Sequence, residues 1–263
     1  LKIQDKTIDL ARFERIFLLG FGKGSAGLSK NIESILGNLL TEGYVIDLQP
    51  EQFSKIQLTI GTHPLPSENN LAFTKMALEK LGNLTERDLV LIVIAGGGSA
   101  LFENPYRVNL DKLIEVNKSL LLSGATITEI NIVRKHLSLV KGGGLVKLLS
   151  PSSVVSIIAS DVPGNDLSAI ASGPTVKDEN TKEEAIQVLK KFNLSDVLKL
   201  SEDDFIETPK EDKYFENTTN ILLVSNETAL LAMKEKAREL GFDAEVLSDK
   251  FQGDAKTAGK ELI

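Results

Sequence analysis

One stretch constrains this chain more than any other: Leu89-Val90-Leu91-Ile92-Val93-Ile94-Ala95-Gly96-Gly97-Gly98-Ser99-Ala100. Its first six residues are apolar without alternation, and four of them are β-branched. A half-exposed strand would alternate, so this pattern predicts a strand buried on both faces of a parallel sheet. The run stops in three glycines and a serine. Glycine accepts positive φ and leaves backbone N–H groups unshielded. A concave row of such groups favours an anion. In an open α/β sheet, ligands bind beyond the carboxyl ends of the strands, where this loop falls. A plain flexible turn is the simpler alternative.

The same grammar recurs along the chain. A strand is expected over 15–20, running into Phe21-Gly22-Lys23-Gly24-Ser25-Ala26-Gly27 and a helix to about residue 36, with Gly37 as its stop. Further strands are read at 44–46 and 58–60, and a helix ends near residue 81. Helical spacing returns at 109–123 and 127–139, breaks at Lys141-Gly142-Gly143-Gly144, and resumes over 145–149. The apolar run 154–159 is another buried strand. After it comes a long loop, Ser160-Asp161-Val162-Pro163-Gly164-Asn165-Asp166 and then Ile170-Ala171-Ser172-Gly173-Pro174-Thr175. Thr181-Lys182-Glu183-Glu184 is a capping box that opens a helix to residue 192. Residues 201–219 read as an acidic surface excursion. A strand at 221–224 ends in Ser225-Asn226, a helix follows over 227–240, then a short strand at 244–247 and a helix beginning at 253. Strands alternate with helices throughout, so the expected fold is α/β, a mostly parallel sheet with helices on both faces. Residues 1–263 are expected to form essentially one such domain.

Composition narrows the function classes. Among the 263 residues there is no cysteine, which excludes disulfides, thiolate metal sites and cysteine nucleophiles. His63 and His136 are the two histidines, so a His-rich metal site is excluded; each is read as structural. The formal net charge of −7 argues against nonspecific nucleic-acid binding. No apolar run approaches the ~20 residues of a membrane span, so no membrane partner is expected. No signal peptide is visible, and a cytoplasmic location is expected.

The candidate chemistry is anionic. Lys23 lies between two glycines at a strand end, beside a helix N-terminus, where a flexible ammonium reaches a phosphate. No stretch satisfies the P-loop pattern, so phosphate binding falls to the loop 96–99. Arg134, Lys135 and Lys141 are each either a solvated face or cations converging on strand ends; their accumulation in an acidic chain points to an anionic substrate. Asp161 either caps its turn or serves Mg²⁺ or a hydroxyl nucleophile. Ser99 does not sit in the G-x-S-x-G elbow of hydrolases.

These motifs, taken in order, carry a resemblance: Gly20-Phe21-Gly22-Lys23-Gly24, Thr62-His63-Pro64-Leu65-Pro66, Ala95 to Ala100, Asn131-Ile132-Val133-Arg134-Lys135-His136-Leu137-Ser138, Lys141-Gly142-Gly143, the two loop segments from Ser160 and Ile170, and Ser225-Asn226. Over nearly its whole length the chain resembles the glycerate 2-kinases whose C-terminal part is called the MOFRL domain. The resemblance implies a three-layer α/β/α Rossmann-like domain and ATP- and Mg²⁺-dependent phosphorylation of D-glycerate to 2-phosphoglycerate, an alcohol-group phosphotransfer of carbohydrate metabolism. It implies Lys23 as the central catalytic lysine, Asp161 as the carboxylate for metal or hydroxyl, and Arg134 with Lys141 as anion contacts. Gly22, Gly96, Gly97, Gly98, Ser99, Asn165, Asp166, Ser172 and Asn226 are carried over as substrate or nucleotide contacts. Either Asn165 or Asp166 faces the cleft. The family continues past the position of Ile263, so its C-terminal domain is expected to be absent here, as is an N-terminal helical segment. The activity of the chain alone, and any homo-oligomer, stay open.

Two other readings compete. Gly22-x-Gly24-x-x-Gly27 with Asp47 after the next strand matches a dinucleotide fingerprint, which would make the protein an NAD(P)-dependent hydroxypyruvate or 2-oxoacid reductase. An inert nucleotide- or anion-binding fragment is the non-enzymatic alternative.

Overall fold

The computed structural model describes residues 1–251, 253 and 255–261. A short antiparallel ribbon, β1 (Lys2–Ile3) and β2 (Lys6–Thr7), precedes the main sheet. That sheet has six parallel strands: β3 (Arg15–Phe21), β4 (Glu42–Asp47), β5 (Ile56–Ile60), β6 (Asp88–Ile94), β7 (Ser153–Ala159) and β8 (Thr218–Val224). Their spatial order is β5-β4-β3-β6-β7-β8. The chain therefore winds outward from β3 in one direction and from β6 in the other. This is a doubly wound sheet whose order reverses between β3 and β6, the place where such folds open a crevice.

The apolar run of β6 explains the layering. It pairs in parallel with β3 on one side and β7 on the other, and every residue from Leu89 to Ile94 is at most 1% exposed. Successive side chains point to opposite faces. Leu89, Leu91 and Val93 pack with Leu18, Val45 and Ile157 under helix α1 (Ser25–Leu36). Val90, Ile92 and Ile94 pack with Leu19, Phe21 and Phe73 under α2 (Glu68–Lys80). Both faces need cover, so helices lie on both: three layers, as the sequence predicts. Each such side chain contributes about 1.5–3 kcal/mol on burial.

Between β6 and β7 the chain adds the short α3 (Gly98–Leu101), then α4 (Leu110–Leu122), α5 (Ile127–His136) and α6 (Gly144–Leu149). Beyond β7, α7 (Lys182–Lys191), opened by the predicted capping box, and α8 (Ser195–Leu198) join α4 and α5 around a separate apolar cluster that includes Val116, Val133 and Leu189. This helical annex stands beside the sheet and forms the far wall of the crevice.

Four details differ from the sequence reading. Helix α5 stops at His136, because Leu137 O and Leu139 N bond across to the 104–106 segment, both at 2.8 Å. The 201–219 stretch is not all surface: Phe205 and Thr208 are buried, and β8 already begins at Thr218. Residues 244–247, read from the sequence as a short strand, form none; they join no ladder among the described residues. The final helix, α10 (Ala255–Glu261), follows α9 (Asn226–Glu239); of the predicted segment, Asp254, Leu262 and Ile263 lie outside the described residues. Helix α9 itself buries none of its side chains.

Candidate active site

The site forms where the ends of β3, β6 and β7 meet at the reversal of strand order. After β3, Gly22 adopts φ +113° and lies so close to the next strand that a Cβ there would sit 2.4 Å from Ala95 O. Only glycine fits, and the approach lets Lys23 N donate to Gly96 O at 2.7 Å. Two glycine loops on adjacent strands are thereby tied together. Gly24, also left-handed at φ +87°, turns the chain into α1, and the Lys23 side chain is left 45% exposed over the strand ends.

The loop after β6 is a floor rather than an open turn. A Cβ on Gly96 would lie 2.4 Å from Asp161 Oδ2. One on Gly97 would lie 2.8 Å from His63 Cδ2 and 3.2 Å from Lys23 Cε. The missing side chains thus create the room that three functional groups occupy. The N–H groups of Gly96 and Gly97 donate to no protein acceptor among the described residues, which leaves them free for an anion.

Asp161 follows β7. The local turn is held by Ser160 Oγ, which accepts from Val162 N at 3.1 Å, so the Asp161 carboxylate is not spent as a cap. It is 62% exposed and stands 3.9 Å from Lys23 Nζ. Asn226, at the start of α9, reaches the Asp161 carbonyl at 3.5 Å. His63 closes the group from the β5–α2 loop. Burial first, and then the Lys23 ammonium, hold its imidazole below the ordinary range, against the opposing pull of Asp161.

Across the floor opens a cleft of about 260 Å³, lined among others by His63, Gly97, Ser99, Glu103, Asn117 and Arg134. Arg134 projects from α5 and donates from Nε to Asn117 Oδ1 at 2.5 Å. Ser99 Oγ shares a hydrogen bond with Ser172 Oγ at 3.0 Å. Ser172 lies in a strained stretch: Ala171 and Ser172 have φ of +51° and +62° in sequence, a conformation that costs about 1–3 kcal/mol per residue and clusters at functional sites. The Ala171 side chain packs over Gly98, which has no room for a Cβ, 2.9 Å away.

The fold therefore gathers Lys23, Asp161, Gly22, Gly96, Gly97, Gly98 and Ser99 at one place, with Ser172, Asn226 and Arg134 at its edges. Other predicted contacts go elsewhere. Lys141 does not reach the cleft; its side chain is 1% exposed and its ammonium lies 2.5 Å from Glu103 Oε2. Lys135 is likewise taken by Asp178 at 3.0 Å, in a pair that is nearly wholly buried. Asp166 accepts from Ser168 N at 2.9 Å and Ser168 Oγ at 3.0 Å, closing its own loop. Asn165 makes the left-handed turn at φ +55°. Two cleft residues carry no advance signal in the sequence, and a third, His63, lies in a motif of the resemblance without a role assigned to it. Glu103 and Asn117 sit in ordinary helical or loop context, and His63 reads as a structural residue among prolines.

The dinucleotide reading loses its acid. Asp47 is 2% exposed, and its carboxylate accepts from Gly24 N at 3.2 Å, Ala26 N at 2.8 Å and Leu48 N at 2.6 Å. It fills the N-terminus of α1 where a pyrophosphate would otherwise sit. For a divalent cation, the described residues contain no group of three or more acidic or imidazole ligands. A single accessible carboxylate at the crevice suits Mg²⁺, which is commonly held by one or two carboxylates together with substrate phosphates. Asp161 is that carboxylate. Substituting Gly96 by alanine is expected to drive the Asp161 side chain aside and to lower kcat/KM about 10–100-fold, with little change in melting temperature, since the displaced group is exposed; steady-state kinetics beside thermal unfolding checks this.

Fold and site together define a doubly wound α/β protein with a cationic, glycine-floored crevice at its topological switch point. The chain belongs to the family described as "Domain of unknown function (DUF4147)", whose model matches residues 1–206. It is 34% identical over 259 residues to the D-glycerate 2-kinase of Thermotoga maritima, covering 97% of this chain and 61% of that protein. It is 38% identical over 260 residues to the glycerate 2-kinase of Pyrococcus horikoshii, covering 93% of this chain and 57% of the relative. A crystal structure of a Thermotoga maritima glycerate kinase superposes with a TM-score of 0.80 at 35% identity, over 90% of this chain and 57% of that one. The chain thus spans a little over half the length of these relatives.

Proposed function

We propose that this chain supplies the Rossmann-like part of an ATP- and Mg²⁺-dependent kinase that phosphorylates D-glycerate at its 2-hydroxyl. One observation carries the reading: Lys23 and Asp161 stand 3.9 Å apart over a floor of glycines. A cation, a carboxylate and free N–H groups at one point are what phosphoryl transfer demands, because that chemistry rests on positioning and charge stabilisation. The identity to proteins named as glycerate 2-kinases supports the substrate.

In this reading Lys23 balances the negative charge of the transferred phosphoryl group, and the N–H groups of Gly96 and Gly97 donate to its oxygens. Asp161 would hold Mg²⁺, which supplies neutralisation of the nucleotide phosphates. His63, whose imidazole burial and Lys23 hold below the ordinary range, hydrogen-bonds at the hydroxyl end of the acceptor. Arg134 receives the acceptor's carboxylate from the far wall. No helix among the described residues is long and apolar enough to cross a membrane, and we place the reaction in the cytoplasm.

The test is a coupled assay with ATP, Mg²⁺ and D-glycerate, run on this chain and on a version extended to the length of its relatives, with the product identified by ³¹P NMR. Formation of 2-phosphoglycerate by the extended version supports the reading. No transfer by either, with NADH consumed against hydroxypyruvate, overturns it.

A further inference from the structure

We propose that Asn117 is a positioning residue that converts Arg134 into a carboxylate-selective clamp, and so sets the preference for a hydroxy acid over an uncharged polyol; this rests on the kinase reading above. The inference begins with an imbalance of charge. Arg134 is half-buried at the cleft wall, and that burial pulls its guanidinium below the ordinary arginine range, against the attraction of Glu103. Yet no carboxylate lies within ion-pairing distance of it among the described residues. Glu103, the acid nearest in effect, is already committed. Its Oε2 accepts from Lys141 Nζ at 2.5 Å, and its Oε1 accepts from Ser138 Oγ at 2.6 Å and Asn104 N at 2.9 Å. A partly desolvated cation without a counter-charge favours the arrival of an anion. The open side of Arg134 is the cleft.

Asn117 decides how that cation faces the cleft. It is 8% exposed on α4. Its Nδ2 donates to Leu113 O at 2.9 Å, one turn back, which fixes the amide the other way round: Oδ1 must face Arg134. The guanidinium is planar, so anchoring Nε at 2.5 Å fixes the plane and leaves the two terminal nitrogens as a fork. A fork of this kind matches the two oxygens of a carboxylate. Leu121, one turn after Asn117, and the Pro64-Leu65-Pro66 segment line the same cleft. Their apolar surface thins the water around the fork, which strengthens charge recognition and leaves a neutral hydroxymethyl group with no equal reward. An aspartate at 117 would keep the geometry but neutralise the cation from behind; the neutral amide orients it while sparing its charge.

The experiment compares the wild-type protein with Asn117→Asp and Asn117→Ala. D-Glycerate binding is measured by calorimetry, KM for D-glycerate and for ATP by steady-state assay, and the preference for D-glycerate over glycerol in both. Thermal unfolding confirms that each variant folds. Asn117→Asp is expected to weaken D-glycerate binding and raise its KM at least about tenfold, the scale of one lost charge-assisted contact. The preference over glycerol falls by the same factor, while KM for ATP stays within about twofold. Asn117→Ala moves in the same direction by a smaller factor, so the inference does not depend on one variant folding. A merely structural role would lower stability and leave the glycerate-to-glycerol ratio where it was. Binding that needs Asn117 in a protein that transfers no phosphoryl group would sink the kinase reading and keep the clamp. Equal D-glycerate affinity in wild type and both variants, or none in wild type, overturns the clamp.

Discussion

Replacing Lys23 by alanine is expected to lower kcat in the proposed D-glycerate phosphorylation at least ~10²-fold, the usual scale for loss of a charge contact made to the transition state. The melting temperature stays close to that of wild type. Both halves of this expectation come from the same geometry. The ammonium is half exposed, and its ion pair with Asp161 at 3.9 Å is open to solvent, so it contributes little to folding. What holds the loop is its backbone: Lys23 N on Gly96 O at 2.7 Å, and the left-handed glycines on either side. None of these needs the side chain. The ammonium matters only when negative charge gathers between Gly96, Gly97 and Asp161. Steady-state kinetics with D-glycerate, beside a thermal melt, separates the two effects. A variant retaining more than a tenth of the wild-type kcat removes Lys23 from the chemistry.

Lys141→Met gives the opposite profile: loss of stability before loss of chemistry. Lys141 is 1% exposed and donates to Glu103 Oε2 at 2.5 Å. Burial pulls its ammonium below the ordinary lysine range, while Glu103 pulls it back up and Arg134 adds to the lowering. Methionine fills similar volume but leaves the Glu103 carboxylate, itself buried, without its cation. Breaking one side of such a pair costs about 3–5 kcal/mol. For a chain of this size that corresponds to a fall in melting temperature of roughly 6–20 °C. Chemical denaturation gives the same quantity as a shift of the midpoint at constant slope. The compensating change Glu103→Gln in the same chain is expected to recover part of the loss, because it removes the orphaned charge. If Lys141→Met unfolds with the wild-type midpoint, the pair carries no stability.

The two lysines are a lesson in what residue type alone conveys. Both sit beside glycines and both read as cations awaiting an anion. Lys23 follows a strand directly, and a strand end in a parallel sheet has one destination, the ligand edge. Lys141 follows a helix, and its partner, Glu103, is 38 positions away in sequence. No local pattern joins them. Arg134 and Lys135 show the same thing within one helix. They are adjacent, so they point about 100° apart; one faces the cleft and the other is buried on Asp178. Which is which depends on where α4 and α7 pack, not on the helix itself. Asn117 and Glu103 were illegible for the converse reason. A neutral amide and a lone acid are ordinary along a chain, and they matter here only through Arg134 and Lys141.

What the sequence determined by itself was the part of the protein governed by short-range physics. Uninterrupted β-branched runs favour buried parallel strands, periodic stretches between them favour helices, and glycines at strand ends leave backbone exposed at the edge where ligands bind. These account for the layers, the sheet and its ligand-facing edge, because each follows from neighbours a few positions apart. Tertiary structure alone decided which charges are free. Three cations have partners or lack them according to contacts spanning tens of residues: the buried Lys141 on Glu103, the buried Lys135 on Asp178, and the half-buried Arg134 held by Asn117 without a counter-ion. A charge is available for chemistry only when nothing nearby has already balanced it, and that balance is struck in three dimensions.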